Sequence, residues 1–334
     1  MDVLVLGIET SCDETAAALV EDGRTVLSDV VSTQTDIHQR WGGVVPELAS
    51  RNHLVQILPV VDEALRRAGR RLTDLDLIAA TTGPGLLGAL LVGAQVGKAL
   101  AAALELPFVG VNHLEGHLLA IRLAQHAPDT PFIALVVSGG HTSLYDVAEP
   151  GSYRCIGTTR DDAAGEAFDK VAKIIGLPYP GGEPIDRLAK NGDPAAIRFP
   201  RALSAPGVFD VSFSGLKTAV LRHVRVRGVP SGQALADLCA SFQEAVADSL
   251  TKKLVAAARK LGRARILICG GVAANSRLRA LAEERARYRD LLLFIPPRHL
   301  CTDNGAMIAV AGYEVHQRGA ASVSPLGVDA GWLL

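Results

Sequence analysis

His113 and His117 stand four residues apart in Asn112-His113-Leu114-Glu115-Gly116-His117. On a helix, that spacing puts both imidazoles on one face, where they can reach a single ion; ordinary polar helix faces also show it. A zinc-protease helix would read H-E-x-x-H, with the general base beside the first histidine. Here Glu115 lies two residues on, roughly 200° around the helix from His113 at 100° per residue, and is turned away from any shared ion. A third ligand must come from elsewhere. Asp303, in Cys301-Thr302-Asp303-Asn304-Gly305-Ala306, offers a carboxylate at the start of the last helix, unless it simply caps that helix.

Two small polar turns carry a second kind of chemistry. They are Glu9-Thr10-Ser11-Cys12-Asp13-Glu14-Thr15 and Ser138-Gly139-Gly140-His141-Thr142. Glycines and hydroxyls at such places let backbone N–H groups approach a phosphate, although one Gly-Gly turn alone is more often a plain hairpin. Asp13 and Glu14 are the candidate general base, and are equally suited to forming the turn. A third element, Ile266-Leu267-Ile268-Cys269-Gly270-Gly271-Val272-Ala273-Ala274-Asn275, runs from a buried strand through a double glycine into a helix. It sets backbone donors and a helix N-terminus beside a ligand, or Asn275 merely caps the helix. This element is not a G-x-G-x-x-G fingerprint, and there is no Walker lysine motif. Asp169 and Asp186 can accept two hydroxyl hydrogen bonds each, while Asp169 with Lys173 also suits a helix-surface ion pair.

The elements that must position these groups follow from hydrophobic periodicity. Strands are expected at Val3–Glu9, Thr15–Val20 and Thr25–Val31, a helix at Pro46–Ala68 kinked at Pro59, a strand at Leu77–Thr81, a helix after Gly85, a strand at Phe108–Val111 and a helix from His113. The order then repeats. Strands fall at Phe132–Val137, Thr142–Asp146 and Tyr153–Thr158, and a helix capped by Asp161 or Asp162 follows. A long helix Gly232–Leu261, a strand Arg265–Cys269, a helix Ala274–Arg287, a strand Leu291–Ile295 and a last helix after Asp303 complete it. A β-β-β-α-β-α-β-α order met twice predicts an α/β fold of two actin-like (ASKHA, RNase H-like) lobes with a nucleotide cleft between them. The lobes are expected at 1–130 and 131–300, with 301–334 returning to the first. The Gly-, Pro- and Arg-rich stretch at about 178–230 reads as an insertion of loops and short helices.

Composition bounds the function. A chain of 334 residues with 49% hydrophobic residues and 33 glycines suits two globular lobes. Its net charge of −1 offers no overall attraction for nucleic acid, so any such surface must be local. Arg66, Arg67, Arg70 and Arg71 form one basic cluster; Arg222, Arg225 and Arg227 form another. Five scattered cysteines without a C-x-x-C pair point to a reducing cytoplasm. The N-terminal apolar run lacks a basic flank and reads as a buried strand rather than a signal peptide. The apolar stretch Gly83–Leu104, broken by Gln95, Lys98 and glycines, reads as a helix buried between layers rather than a membrane span.

Taken together, the segments GIETSCDETAAALV, GGVVPELASRNH, TTGPGLLGALLVGAQVGKALA, NHLEGHLLA, LVVSGGHTSL, DDAAGEAFDKVAKIIGLPYPGG, FSGLKTAV, ICGGVAANSRLR and CTDNGAMIA resemble the TsaD-type tRNA threonylcarbamoyladenosine transferase family, once labelled a glycoprotease. They run from Gly7 to Ala309. The resemblance implies transfer of a threonylcarbamoyl group from threonylcarbamoyl-AMP to the exocyclic amine of the adenosine 3′ of the anticodon, in tRNAs reading codons that begin with A, with AMP released. It implies one divalent metal per chain, iron or zinc, on His113, His117 and Asp303. It marks Val136, Val137, Ser138, Gly139, Gly140, Asp169, Gly182, Asp186 and Asn275 as substrate contacts. The partners it implies are tRNA, a small paralogue of TsaB type, an ATPase of TsaE type and the enzyme that makes the adenylate. A sugar kinase of the same fold, a metalloprotease and a non-catalytic scaffold are the rival classes. Bound iron or zinc would argue against the kinase.

Overall fold

The computed structural model describes residues 2–319 and 327–334. β1 (Leu4–Glu9), β2 (Glu14–Glu21) and β3 (Thr25–Thr33) form an antiparallel meander. The short α1 (Thr35–Gln39) and the long α2 (Pro46–Ala68) follow, and α2 runs on through Pro59. β4 (Leu77–Gly83), α3 (Leu87–Leu104), β5 (Phe108–Asn112) and α4 (His113–Leu119) complete this part of the chain. β4 and β5 join in parallel, and the sheet order is β3-β2-β1-β4-β5.

The pattern then recurs. β6 (Phe132–Val137), β7 (Thr142–Glu149) and β8 (Ser152–Thr158) form a second meander, followed by α5 (Ala164–Ile174), α6 (Gly182–Ala189), α7 (Ser214–Arg227) and α8 (Gly232–Lys260). β9 (Arg265–Cys269), α9 (Ser276–Tyr288) and β10 (Leu292–Phe294) follow, giving the order β10-β9-β6-β7-β8. Read outward from the third meander strand, both sheets have one topology. Finally α10 (Gly305–Gln317) is the last helix among the described residues. Contacts divide the chain into two compact units: residues 1–127 with 302–334, and residues 128–301.

In the first unit, the period of two along β1 sends Leu4, Leu6 and Ile8 to one face and Val5 to the other. The first face packs on Ile57, Val60 and Val61 of α2 and Val92 of α3. The second packs on Ala306, Met307 and Ala309 of α10. Close packing there needs glycine. A Cβ at Gly7 would stand 2.3 Å from the Gly305 carbonyl oxygen, one at Gly305 2.4 Å from the Ala18 nitrogen, and one at Gly312 2.3 Å from the Ala79 Cβ. Three glycines thus bring the last helix onto the sheet and carry Asp303 with it. The second unit buries Ile133, Leu135 and Ile268 of its sheet against α5 and the long α8, with Phe168 and Phe242 in edge-on contact.

Two expectations change. α3 is not enclosed between layers: Ala89, Leu90, Gly93 and Ala94 are buried, but Leu87 and Leu91 are exposed, as are Leu54, Val55 and Leu58 of the neighbouring α2. Small residues bring one face of α3 close to β4, and among the described residues no further layer covers the other. Neither Asp161 nor Asp162 caps α5. Asp161 instead accepts from the Phe213 and Ser214 N–H groups at the start of α7, and Asp162 holds Lys170 and Lys217. The stretch at about 178–230 carries α6 and α7, which pack on α8 and α5.

Candidate metal centre and glycine turns

Asn112 decides where α4 begins. Its side chain accepts the Leu114 N–H at 2.9 Å, so the helix starts at His113 and both histidines fall within its two turns. Asn304 caps α10 in the same way, accepting the Met307 N–H at 2.8 Å. Capping by Asp303 is therefore excluded; it sits one residue before the cap. Gly116 lets Ile308 of α10 approach α4, and the two helices hold Asp303 against both histidines.

One ligand atom each of His113, His117 and Asp303 lies within 4.8 Å of the others. The Asp303 Oδ1 is 3.1 Å from His117 Nε2 and 3.6 Å from His113 Nε2. Donor atoms of a tetrahedral zinc site, each about 2.1 Å from the ion, sit roughly 3.4 Å apart. Among the described residues, neither ring nitrogen of the fully buried His117 has a hydrogen-bond partner; its close contact with Asp303 is not a hydrogen bond. A buried imidazole left unpaired is costly unless something ligates it. The donor set fits a divalent ion. The protease reading fails on geometry: Glu115 is drawn to Arg318 on the far side of α4, at 2.7 Å.

Acidic groups surround the cluster, and the sequence reading missed the innermost. Glu9, fully buried at the end of β1, accepts from the Ser11 N–H and from the Thr81 hydroxyl at 2.6 Å, and lies 3.0 Å from His113 Nδ1. Burial alone would raise its pKa, but the His113 charge and these hydrogen bonds hold it below the usual carboxylate value. Burial likewise works against a charged His113, yet Glu9 and Asp303 overcome it and lift the imidazole to about 9. A buried strand that ends on a glutamate was the available signal.

Of the two base candidates, Glu14 is pushed well above its ordinary value, first by burial and then by the neighbouring charges of Asp13 and Asp303. The Cys12 thiol is also pushed up, by burial and then by Asp13 and Asp303, which excludes a thiolate nucleophile. The turn bearing Asp13 and Glu14 is held from α2 by His53. This buried imidazole spans the Cys12 carbonyl at 3.0 Å and the Thr15 hydroxyl at 2.8 Å.

The expected substrate contacts all lie in the second unit. Val136 and Val137 are core residues of β6 with fully buried side chains, so only their main chain can face a ligand. The Ser138 N–H donates to the His141 carbonyl at 2.8 Å, and the Ser138 hydroxyl accepts the His141 N–H at 3.1 Å. Gly139 and Gly140 form the exposed tip of this turn. Asp169 accepts the Gly181 N–H at 2.7 Å, setting the turn before Gly182, the first residue of α6. Asp186 accepts the Ser276 N–H and hydroxyl at 3.1 and 2.7 Å. Asn275 caps α9, accepting the Leu278 N–H at 3.0 Å, and its Nδ2 donates to the Gln243 side-chain Oε1 at 2.8 Å. These polar side chains tie α6, α8 and α9 together behind the Gly270-Gly271 turn. There Gly270, at φ 92°, abuts the Val137 carbonyl, and a Cβ on Gly271 would meet open space.

Solved structures share this fold at low identity. HypF of T. kodakarensis superposes with a TM-score of 0.64 at 15% identity, over 96% of this chain and 48% of that one. Component A of the Acidaminococcus fermentans (R)-2-hydroxyglutaryl-CoA dehydratase gives 0.53 at 16% identity, over 96% of this chain and 99% of that one. By fold, the chain is an α/β protein of the actin-like class. The family described as tRNA N6-adenosine threonylcarbamoyltransferase (TsaD) matches residues 25–310. Proteins of that name from Anaeromyxobacter dehalogenans (strain 2CP-C) and Geobacter metallireducens are 64% and 57% identical to this chain over 99% of it, covering 99% and 97% of their own lengths. The chain belongs to that family.

Proposed function

We propose that this chain moves a threonylcarbamoyl group from threonylcarbamoyl-AMP to the exocyclic amine of the adenosine 3′ of the anticodon, in tRNAs reading codons that start with A. One iron or zinc ion on His113, His117 and Asp303 serves the reaction. Family membership over the full length supports the transfer. The convergence of three ligand atoms on the unpartnered His117 is the observation that carries the metal.

The donor is a mixed anhydride, so its carbonyl carbon is already electrophilic. The amine nitrogen forms a bond to that carbon, the bond to the AMP phosphate oxygen breaks, and the nitrogen loses a proton. A bound divalent ion supplies Lewis-acid stabilisation of the negative charge that develops. Asp13 or Glu14, in the turn beside the cluster, accepts the amine proton. The N–H groups of Gly139 and Gly140 act as oxyanion or phosphate donors.

The chain acts in the cytoplasm with partners, and the five cysteines being free thiols suits that compartment. The apolar face formed by Leu54, Val55 and Leu58 of α2 and Leu87 and Leu91 of α3 receives the small paralogue; the TsaE-type ATPase sustains turnover. Of the two arginine clusters, every member of the first faces a carboxylate: Arg66 and Arg67 share Glu63, Arg70 faces Glu21, and Arg71 faces Asp74. Arg222, Arg225 and Arg227 on α7 are exposed and have no carboxylate partner among the described residues. Arg222 and Arg225 lie opposite the buried Leu216, Val220 and Val224, so α7 is the surface offered to tRNA phosphates.

The test is threonylcarbamoyl-adenosine formation from threonine, bicarbonate, ATP and tRNA in a reconstituted mixture, with metal content measured alongside. His117→Ala is expected to lose both metal and product. A His117→Ala protein that keeps stoichiometric metal overturns the ligand assignment, and a wild-type mixture that yields no modified adenosine overturns the transfer.

A further inference from the structure

We propose that Glu9 is the positioning residue of the metal centre: it fixes the tautomer and ring plane of His113 so that Nε2 presents its lone pair to the ion. This rests on the metal reading above.

Three adjacent parallel strand ends converge here. In the register, Ile8 of β1 lies opposite Ala80 of β4, and Thr81 lies opposite Val111 of β5. Glu9, Thr81 and His113 therefore follow one another across the carboxyl edge of the sheet. An ionised carboxylate only accepts hydrogen bonds. Glu9 Oε1 takes the Ser11 N–H, and Oε2 takes the Thr81 hydroxyl at 2.6 Å. Oε2 also lies 3.0 Å from His113 Nδ1, so that nitrogen must be the one bearing hydrogen. The Ser11 hydroxyl, 3.1 Å from the same nitrogen, can donate or accept and cannot set the tautomer alone. With Nδ1 protonated, the neutral ring offers Nε2, which is the nitrogen facing Asp303 at 3.6 Å.

The electrostatics point the same way. His113, His117 and Glu9 are buried, and burying net charge is expensive. The carboxylate of Glu9 offsets part of the positive charge that a divalent ion would bring to two neutral imidazoles and Asp303. Its two other donors keep it from turning aside.

The experiment measures zinc affinity by chelator competition on the purified full chain. Glu9→Gln keeps the shape but removes the charge and the obligate acceptor. It is expected to weaken zinc binding by about 10–100-fold, the range found when outer partners of metal-bound histidines are removed. Imidazole 15N spectra of the zinc-loaded wild type provide a reading that needs no variant, with His113 expected to be protonated at Nδ1 and ligated through Nε2. Glu9→Gln binding zinc within about twofold of wild type while His117→Ala loses it would overturn this role, as would a His113 ligated through Nδ1. If His117→Ala retains wild-type affinity, the metal reading falls instead.

Discussion

Asp29 makes a quantitative case. It lies on β3, and its carboxylate accepts the Gly305 N–H at 3.2 Å, at the start of the helix that follows Asp303. Burial lifts its pKa from the ordinary 3.8 to about 6, against the opposing pull of the Gly305 and Ala306 N–H groups. The folded state therefore binds more protons than the unfolded state between those values. Stability contributed by the neutral form is full below 3.8 and is lost as pH rises through about 6. At about 1.4 kcal/mol per pH unit, the charged form is disfavoured by roughly 3 kcal/mol at pH 7.5. Asp29→Asn keeps an acceptor for Gly305 and stays neutral, but brings an amide N–H that must find a partner, costing about 1 kcal/mol. The expected net gain is about 2 kcal/mol, or roughly 4–8 °C in Tm for a unit of this size. At pH 4 the gain should vanish. Both tryptophans, Trp41 and Trp332, belong to the first unit, so their fluorescence follows its unfolding without interference from the second. A variant less stable than wild type at pH 7.5, or equally stabilised at both pH values, would refute the reasoning.

Other consequences are as direct. Gly7→Ala drives a Cβ into the backbone of Gly305 and Ala309, at 2.3 and 2.4 Å, and should destabilise the first unit by about 1–3 kcal/mol or more and weaken zinc binding, checked by the same fluorescence and chelator assays. Gly271→Val meets no neighbour within 4 Å, so the melting temperature should hold while adenine-nucleotide affinity is lost in calorimetry; unchanged affinity removes this turn from the nucleotide site. Paired Arg222→Glu and Arg225→Glu should weaken tRNA binding and lower its log–log salt slope by about 2, whereas Arg66→Glu with Arg67→Glu should barely change it.

The strand-and-helix order was legible because both sheets alternate or run apolar at their natural period, and the bounds of α2, β6 and β9 need no correction. The histidine pair was legible for the same reason: helical spacing is written in the sequence. Its surroundings were not. Glu9 lies more than a hundred residues from His113, and only the strand order β1-β4-β5 brings them together. Asp161 and Asp162 look like caps for the helix beside them, but are claimed by α7 and by two lysines. Local pattern cannot weigh such distant competitors. The open face of α3 was hidden similarly, since composition reports how apolar a helix is and not what lies over it.

The repeated strand order sets two contrasting turns at one place in the topology. The connections β1–β2 and β6–β7 occupy the same place in the two sheets, and each is four residues long, 10–13 and 138–141. One, flanked by Glu9 and Glu14, is rich in carboxylates; the other carries two glycines. One edge thus offers acidic side chains where its counterpart offers bare main chain. Because the two edges belong to separate hydrophobic cores, a substitution in one turn leaves the packing of the other unit untouched.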